Sequence, residues 1–128
     1  MEVHMEQCLE KLKSVVPDLD VDAGIDYCGG MEEFYMEVLW DYVNDELGAE
    51  LQSLFEAGNF QNYQVQAHAL KSTSRTLGIE CVGALAEKLE HAVKDGNLDY
   101  VKENHAQCIE TYNKVVGYIR EYIPPVEE

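Results

Sequence analysis

Two short stretches, Ala57-Gly58-Asn59-Phe60 and Asp95-Gly96-Asn97-Leu98, divide this sequence and decide its fold. Both have glycine followed by asparagine between two segments with helical periodicity. Glycine readily adopts the left-handed backbone conformation that ends a helix, and asparagine is a favoured N-cap because its side-chain oxygen accepts a backbone N–H bond of the next helix. Each stretch therefore predicts a tight reversal between two helices.

Short connections make neighbouring helices pack antiparallel. Working outward from the two reversals, we expect four helices: the stretch before Gly58, residues 60–78, residues 80–95 and the stretch after Asn97. The sequence has no sustained alternation of apolar and polar residues, which would be typical of strands. The predicted fold is therefore all-α, an antiparallel up-down four-helix bundle.

Two further elements are expected before the bundle. Residues 1–16 have the pattern of an additional N-terminal helix that stops before Pro17, because proline cannot continue a helix. Residues 20–27 predict a short capping helix, closed by Gly29-Gly30. We expect both elements to cover one end of the bundle.

The length of 128 residues predicts a single domain. Its expected divisions are an N-terminal helix (1–17), a core (18–121) and a tail (122–128), of which residues 124–128 should fray.

The charge of the chain excludes some classes of partner. Twenty-five acidic residues against nine Lys and Arg give a net charge of −16. Such a chain would be repelled by the phosphates of nucleic acid and by an anionic membrane surface. We therefore expect neither a nucleic-acid-binding protein nor a membrane protein.

The first residues lack the basic start and apolar stretch of a secretory signal, and no segment approaches the roughly 20 apolar residues needed to span a bilayer. The four cysteines are far apart, with no Cys-x-x-Cys pair, and are interpreted as core residues in a reducing compartment. These features predict a cytoplasmic location.

The segment from Phe60 to Gly78 carries the candidate site. At 100° per residue, one arc of about 100° contains the core face, and His68 projects about 130° from the centre of that arc. The core-face residues are Phe60, Tyr63, Ala67, Leu70, Ser74 and Leu77. His68 is therefore expected to face water.

Lys71, Ser72 and Arg75 follow His68 at three, four and seven residues, so a helix places them on the same exposed face. Residues 59–79 contain no acid in a strongly acidic chain. This face is where an incoming phosphoryl group would meet the least repulsion. The alternative is an ordinary solvated face, whose Lys71 and Arg75 pair with acids on neighbouring helices.

The run Ala67-His68-Ala69-Leu70-Lys71-Ser72-Thr73-Ser74-Arg75-Thr76-Leu77-Gly78 resembles the signature of histidine-containing phosphotransfer (HPt) domains. That signature is a histidine, a lysine three residues on and a glycine ten residues on. Residues 20–25 and 28–35 are similar to the family's usual entry before its first long helix, and residues 86–92 resemble its third bundle helix. The resemblance spans residues 18–121 in consistent order.

The resemblance implies a phosphorelay role. His68 would accept a phosphoryl group from, and donate it to, an aspartate on the receiver domain of a response regulator or a hybrid sensor histidine kinase. Lys71 and Arg75 would offset the phosphoryl charge, and Gln64, one turn before His68, would orient the ring or the phosphate. Ser72 departs from the family pattern, which usually has glycine there, and this puts partner affinity in doubt. No cofactor is expected on this chain, because the receiver would supply Mg²⁺.

The main alternative is a helical-bundle adaptor that binds a receiver or a kinase without phosphotransfer. A di-iron bundle enzyme is disfavoured because no histidine has glutamate three residues before it. The chain also lacks a phosphate-binding Gly-x-x-x-x-Gly-Lys loop, so we expect no autonomous kinase activity. A free-standing monomer is expected, and the alternative that these residues are a module of a hybrid sensor kinase is left open. Of the other histidines, His105 is expected in the core, and His4 and His91 at the surface.

Overall fold

The computed structural model describes the backbone of residues 2–125 and the side chains of residues 7–125. Within that range the chain forms seven helices: α1 (Glu2–Val15), α2 (Val21–Tyr27), α3 (Glu32–Asn44), α4 (Leu47–Glu56), α5 (Phe60–Thr76), α6 (Glu80–Lys94) and α7 (Leu98–Tyr122). An isolated β-bridge joins Leu19 to Ile79. The all-α class is confirmed. No helix in the described part of the chain has the length and apolar character needed to cross a bilayer.

Both reversals have the predicted geometry. Gly58 and Gly96 adopt φ angles of 67° and 75°, in the left-handed region that favours glycine. The side chains of Asn59 and Asn97 each accept the backbone N–H three residues on, at the start of α5 and α7. Glycine thus ends one helix and asparagine begins the next at both positions.

The bundle consists of α3 together with α4, followed by α5, α6 and α7. The most extensive helix–helix contact is between α5 and α6, and α7 packs against α6, while α4 packs against α5. The extra helix α1 lies against α7, and α2 contacts α3 and α5. One hydrophobic core runs through these helices, from Leu9 in α1 to Ile123 after α7.

The first bundle helix is broken, although a single helix was expected before Gly58. Glu46 adopts φ 52° and ψ 39°, a left-handed conformation that separates α3 from α4. The Tyr112 hydroxyl donates a 3.2 Å hydrogen bond to the Tyr42 carbonyl, at the end of α3. Gly48 lies so close to the Tyr112 ring that a Cβ atom there would overlap it. Packing against α7 therefore accompanies the break, and no proline marks it in the sequence.

The ends of the chain follow the predicted pattern with one difference. α1 ends at Val15, two residues before Pro17, and the Asp20 side chain caps α2. At the other end, Ile123 is buried and its carbonyl accepts a 3.1 Å hydrogen bond from Trp40 Nε1, so the packed chain extends into the predicted tail. Residues 124 and 125 are exposed, and residues 126–128 lie outside the described residues.

The turn between α5 and α6 is held by two residues from earlier in the chain, Asp20 before α2 and Tyr35 of α3. The Asp20 backbone N–H donates a 2.9 Å bond to the Gly78 carbonyl, and the Tyr35 hydroxyl donates a 2.8 Å bond to the Leu77 carbonyl. Gly78 has φ 80°, and a Cβ atom there would collide with the Asp20 carbonyl oxygen. Only glycine fits this turn, which explains its place ten residues after His68.

Gly78→Ala should therefore lower the free energy of unfolding by about 2–5 kcal/mol, the sum of a left-handed alanine and a backbone collision. Gly58→Ala is the matched control, because Gly58 is also left-handed but faces open space. It should cost only about 1–2 kcal/mol, the left-handed contribution alone. Urea unfolding followed by circular dichroism measures both values. Equal losses would contradict the proposed role of the turn.

His105 is buried in the core, as predicted. Its ring stacks on Phe55 with centroids 3.9 Å apart. Nε2 lies 2.7 Å from Gln52 Oε1, which accepts only, so Nε2 carries the proton. Nδ1 then accepts the Tyr63 hydroxyl at 2.8 Å. The neutral ring thus ties α4, α5 and α7 together. The expectation for His4 falls among residues whose side chains are not described.

Burial lowers the pKa of His105 below its ordinary 6.5, and the charge of Glu56 opposes this only in part. As the pH falls through about 6.5, the unfolded chain gains a proton that the folded chain does not take up. The free energy of unfolding should therefore decline as the pH falls from about 7 through 6.5. His105→Gln should flatten this slope, and His91→Gln, at an exposed position, should preserve it. Unfolding curves with an unchanged slope in His105→Gln would refute the explanation.

Candidate functional site

Helix α5 presents His68 to solvent because its opposite face is in the core. Tyr63, Ala67, Leu70 and Ser74 are buried along that opposite face, as the periodicity predicted. The His68 side chain is 58% exposed. An imidazole in this position is accessible to a partner protein, and it is not a core residue.

A carboxylate that sequence reasoning did not identify lies beside the ring. His68 Nδ1 is 2.7 Å from Glu90 Oε2, and Lys71 Nζ is 2.8 Å from Glu90 Oε1. The Lys71 contact is an ion pair. The Glu90 side chain is only 10% exposed. One buried carboxylate thus bridges the histidine and the lysine of the signature.

The antiparallel register of α5 and α6 brings these residues together. His68 and Glu90 each lie eleven residues from Ile79, which follows the turn. Two helices that leave one tight turn in opposite directions bring residues at equal distances from it to the same level. These equal distances from the turn could have predicted the contact between His68 and Glu90 from the sequence. Such a prediction requires the exact position of the turn.

The charge of Glu90 determines which nitrogen of the neutral His68 ring carries the proton. Burial raises the pKa of Glu90, but Lys71 and His68 together outweigh that effect and the net pKa is lowered. Glu90 is therefore ionised at neutral pH, and an ionised carboxylate accepts hydrogen bonds only. In the neutral ring, the proton donated to Glu90 therefore lies on His68 Nδ1, and the lone pair lies on Nε2.

Arg75 does not lie against the His68 ring, although the sequence placed both on one face. Its guanidinium bonds Glu80 at 2.9 and 3.1 Å and Glu87 at 2.9 and 3.4 Å, both on α6. Bonds to these carboxylates raise the pKa of Arg75 and lower that of Glu87. Lys71 and Arg75 therefore both pair with acids on a neighbouring helix, which was the alternative expected from the sequence.

Gln64 and Ser72 flank His68 by one turn on either side. Gln64 is half-buried and Ser72 is exposed, and neither side chain has a hydrogen-bond partner within residues 7–125. Val65, one turn before His68, is 67% exposed and adds an apolar side chain that sequence reasoning overlooked. The roles of Gln64 and Ser72 towards a phosphoryl group stay predictions. Among the described residues, no group of three or more His, Cys, Asp or Glu side chains is placed to hold a metal ion.

The segment that carries this site matches a known protein family. Residues 35–118 match the sequence model of the Hpt domain family, a segment that contains His68, Lys71, Gly78 and Glu90. The chain therefore belongs to the Hpt domain family, the histidine phosphotransfer domains of phosphorelay signalling.

Among individual proteins, the chain is 26% identical over 105 residues to the phosphorelay intermediate protein rdeA of Dictyostelium discoideum. That match covers 80% of this chain and 41% of the relative, so the chain spans less than half of the relative's length. No solved structure matches the chain.

The tautomer of His68 is directly testable. Free histidine exchanges its proton between the two ring nitrogens, whereas the bond to Glu90 should hold it on Nδ1. Nitrogen-15 NMR of the ring at about pH 8 should show a protonated Nδ1 and a lone pair on Nε2. Glu90→Ala should remove this preference. A parent protein with its proton on Nε2 would contradict the assignment.

Proposed function

We propose that this chain carries a phosphoryl group on Nε2 of His68, accepting it from and donating it to an aspartate of a receiver domain. One observation carries the proposal: an exposed imidazole has its Nδ1 bound to a buried, ionised carboxylate, within the segment that matches the Hpt family. A neutral imidazole with a free Nε2 is nucleophilic near neutral pH and needs no separate base.

The transfer step uses the Nε2 lone pair. The lone pair forms the N–P bond while the bond between phosphorus and the aspartyl oxygen breaks. The electrons of the broken P–O bond remain on the aspartate carboxylate. The reverse step returns the N–P electrons to Nε2. In such in-line transfers, positioning and charge neutralisation supply most of the catalysis.

Lys71 is the proposed cation for the phosphoryl oxygens. Lys71 follows His68 by one helical turn, and its ammonium pairs with the same Glu90 carboxylate that contacts the His68 ring. Ser72 and Gln64 are proposed as secondary hydrogen-bonding groups on either side. For Arg75 to contact the phosphoryl group, it must first exchange Glu80 or Glu87 for the phosphate.

The proposed chemistry also assigns the partner and the cofactor. The receiver domain, free or part of a hybrid sensor kinase, supplies Mg²⁺ and the aspartate, and this chain contributes no cofactor and no ATP-dependent kinase activity. We propose that it acts as a monomer in the cytoplasm, where four cysteines far apart in sequence stay reduced. The net charge of −16 disfavours binding to nucleic acid.

The second candidate function is an adaptor that binds a receiver without exchanging phosphate. The observation that favours it is that Lys71 and Arg75 both already have carboxylate partners. In that case neither cation would be available to a phosphoryl group, and His68 would be a contact residue only.

Incubation with a phosphorylated receiver domain separates the two functions. Radiolabel should enter the parent chain as acid-labile, base-stable phosphohistidine and should be absent from His68→Ala. Lys71→Ala should slow the transfer by about 10- to 100-fold, the worth of one charge-assisted contact.

His91→Ala is the matched control, because it removes another exposed histidine outside the site, on α6. It should be labelled like the parent. A folded parent chain that binds receivers but takes no label from any of them would establish the adaptor function instead.

A further inference from the structure

We propose that Arg75 is a positioning residue: it occupies Glu87 and thereby keeps the Lys71 ammonium next to the imidazole. This role rests on the proposed function, in which Lys71 offsets the charge of the phosphoryl group. It assigns Arg75 an effect on transfer that needs no contact between its guanidinium and the phosphoryl oxygens.

The register of the α5–α6 hairpin places Lys71 level with Glu87. Each of these two residues lies eight residues from Ile79, and residues at equal distances from a tight turn reach the same level of an antiparallel pair. The Lys71 ammonium nevertheless lies 2.8 Å from Glu90, which is three residues beyond Glu87 on α6. Lys71 is therefore paired one turn beyond the carboxylate at its own level, and this pairing brings it to the ring.

Arg75 occupies Glu87 from a position across the backbone of α6. Gly83 lies level with Arg75 in the same register, and a Cβ atom there would come within 2.7 Å of Arg75 Cγ. Because glycine has no side chain, the stem of the arginine can lie against the helix backbone. From there the guanidinium reaches about one turn in each direction along α6, to Glu80 and to Glu87, at 2.9 Å each.

Glu87 remains within electrostatic range of Lys71. Bonds from Arg75 lower the pKa of the Glu87 carboxyl, and the charges of His91 and Lys71 lower it further. An ordinary histidine is mostly neutral at about pH 8, so Lys71 would be the remaining cation of these three if Arg75 were removed. Glu87 would then compete with Glu90 for the Lys71 ammonium.

This competition would withdraw Lys71 from the site. An ammonium at Glu87 lies one helical turn nearer the hairpin turn than one at Glu90, and therefore farther from the His68 ring. The side chains of Arg75 and Glu87 are each 36% exposed, so solvent weakens the charge interactions at this position. Removal of Arg75 should therefore slow transfer less than removal of Lys71 does.

Arg75→Ala should slow transfer from a phosphorylated receiver domain by about 2- to 5-fold at about pH 8, the worth of one partly exposed ion pair. Adding Glu87→Gln should restore the parent rate, because the competing charge is gone and Lys71 returns to Glu90. A merely structural role of Arg75 would not be rescued in this way, since the second substitution restores no contact. Arg120→Ala, at an exposed position of α7, is the matched control for net charge and should transfer like the parent.

A second pair of variants tests whether Arg75 acts through Lys71. In the Lys71→Ala background, adding Arg75→Ala should slow transfer no further, because the residue through which Arg75 acts is already absent. If Arg75 itself contacted the phosphoryl group, the two effects would multiply. Potassium phosphoramidate, a small phosphoryl donor, should give the same pattern as the receiver, because the effect lies at the ring and not in the docking of a partner.

The outcomes separate the role of Arg75 from the proposed function. If the folded parent takes no label on His68 from either donor, the carrier function itself fails. If the parent is labelled but Arg75→Ala transfers at the parent rate, or Glu87→Gln does not restore the rate, the carrier function stands and the role of Arg75 is overturned. Effects of Lys71→Ala and Arg75→Ala that multiply would also overturn it.

Discussion

The register of the α5–α6 hairpin is the constraint on which the site depends. Bonds from Asp20 and Tyr35 to the carbonyls of Gly78 and Leu77 hold the turn, and Gly78 admits the close approach of the backbone. With the turn fixed there, equal distances along the two helices bring His68 level with Glu90. A shift of one residue would rotate each helical side chain by about 100° and separate the pair.

Burial gives the Glu90 carboxylate its influence and also ties the site to stability. A buried charge is costly unless partners compensate for it, and here His68 and Lys71 supply that compensation from α5. The two residues proposed to perform the chemistry are therefore also the partners that make a buried carboxylate tolerable. The proposed phosphorylation of the ring would change the charge balance of the α5–α6 interface, which is the most extensive helix contact in the bundle.

Local signals in the sequence predicted most of the fold and the exposure of His68. Glycine followed by asparagine marked both reversals, and periodicity separated the buried face of α5 from the exposed one. Two features escaped because they depend on contacts distant in sequence. The break at Glu46 accompanies packing of Tyr112 from α7, and the acids that bind Lys71 and Arg75 come from α6. An acid-free segment in the sequence is therefore not an acid-free surface in the fold.

In the proposed function, Nε2 of His68 carries the phosphoryl group while Nδ1 faces Glu90. The most direct measurement is the coupling between phosphorus-31 and ring nitrogen-15 in the chain after exchange with a phosphorylated receiver domain. The proposed carrier role predicts coupling to Nε2 of His68. Phosphorus bound to Nδ1 of His68, or to any other residue, would contradict it.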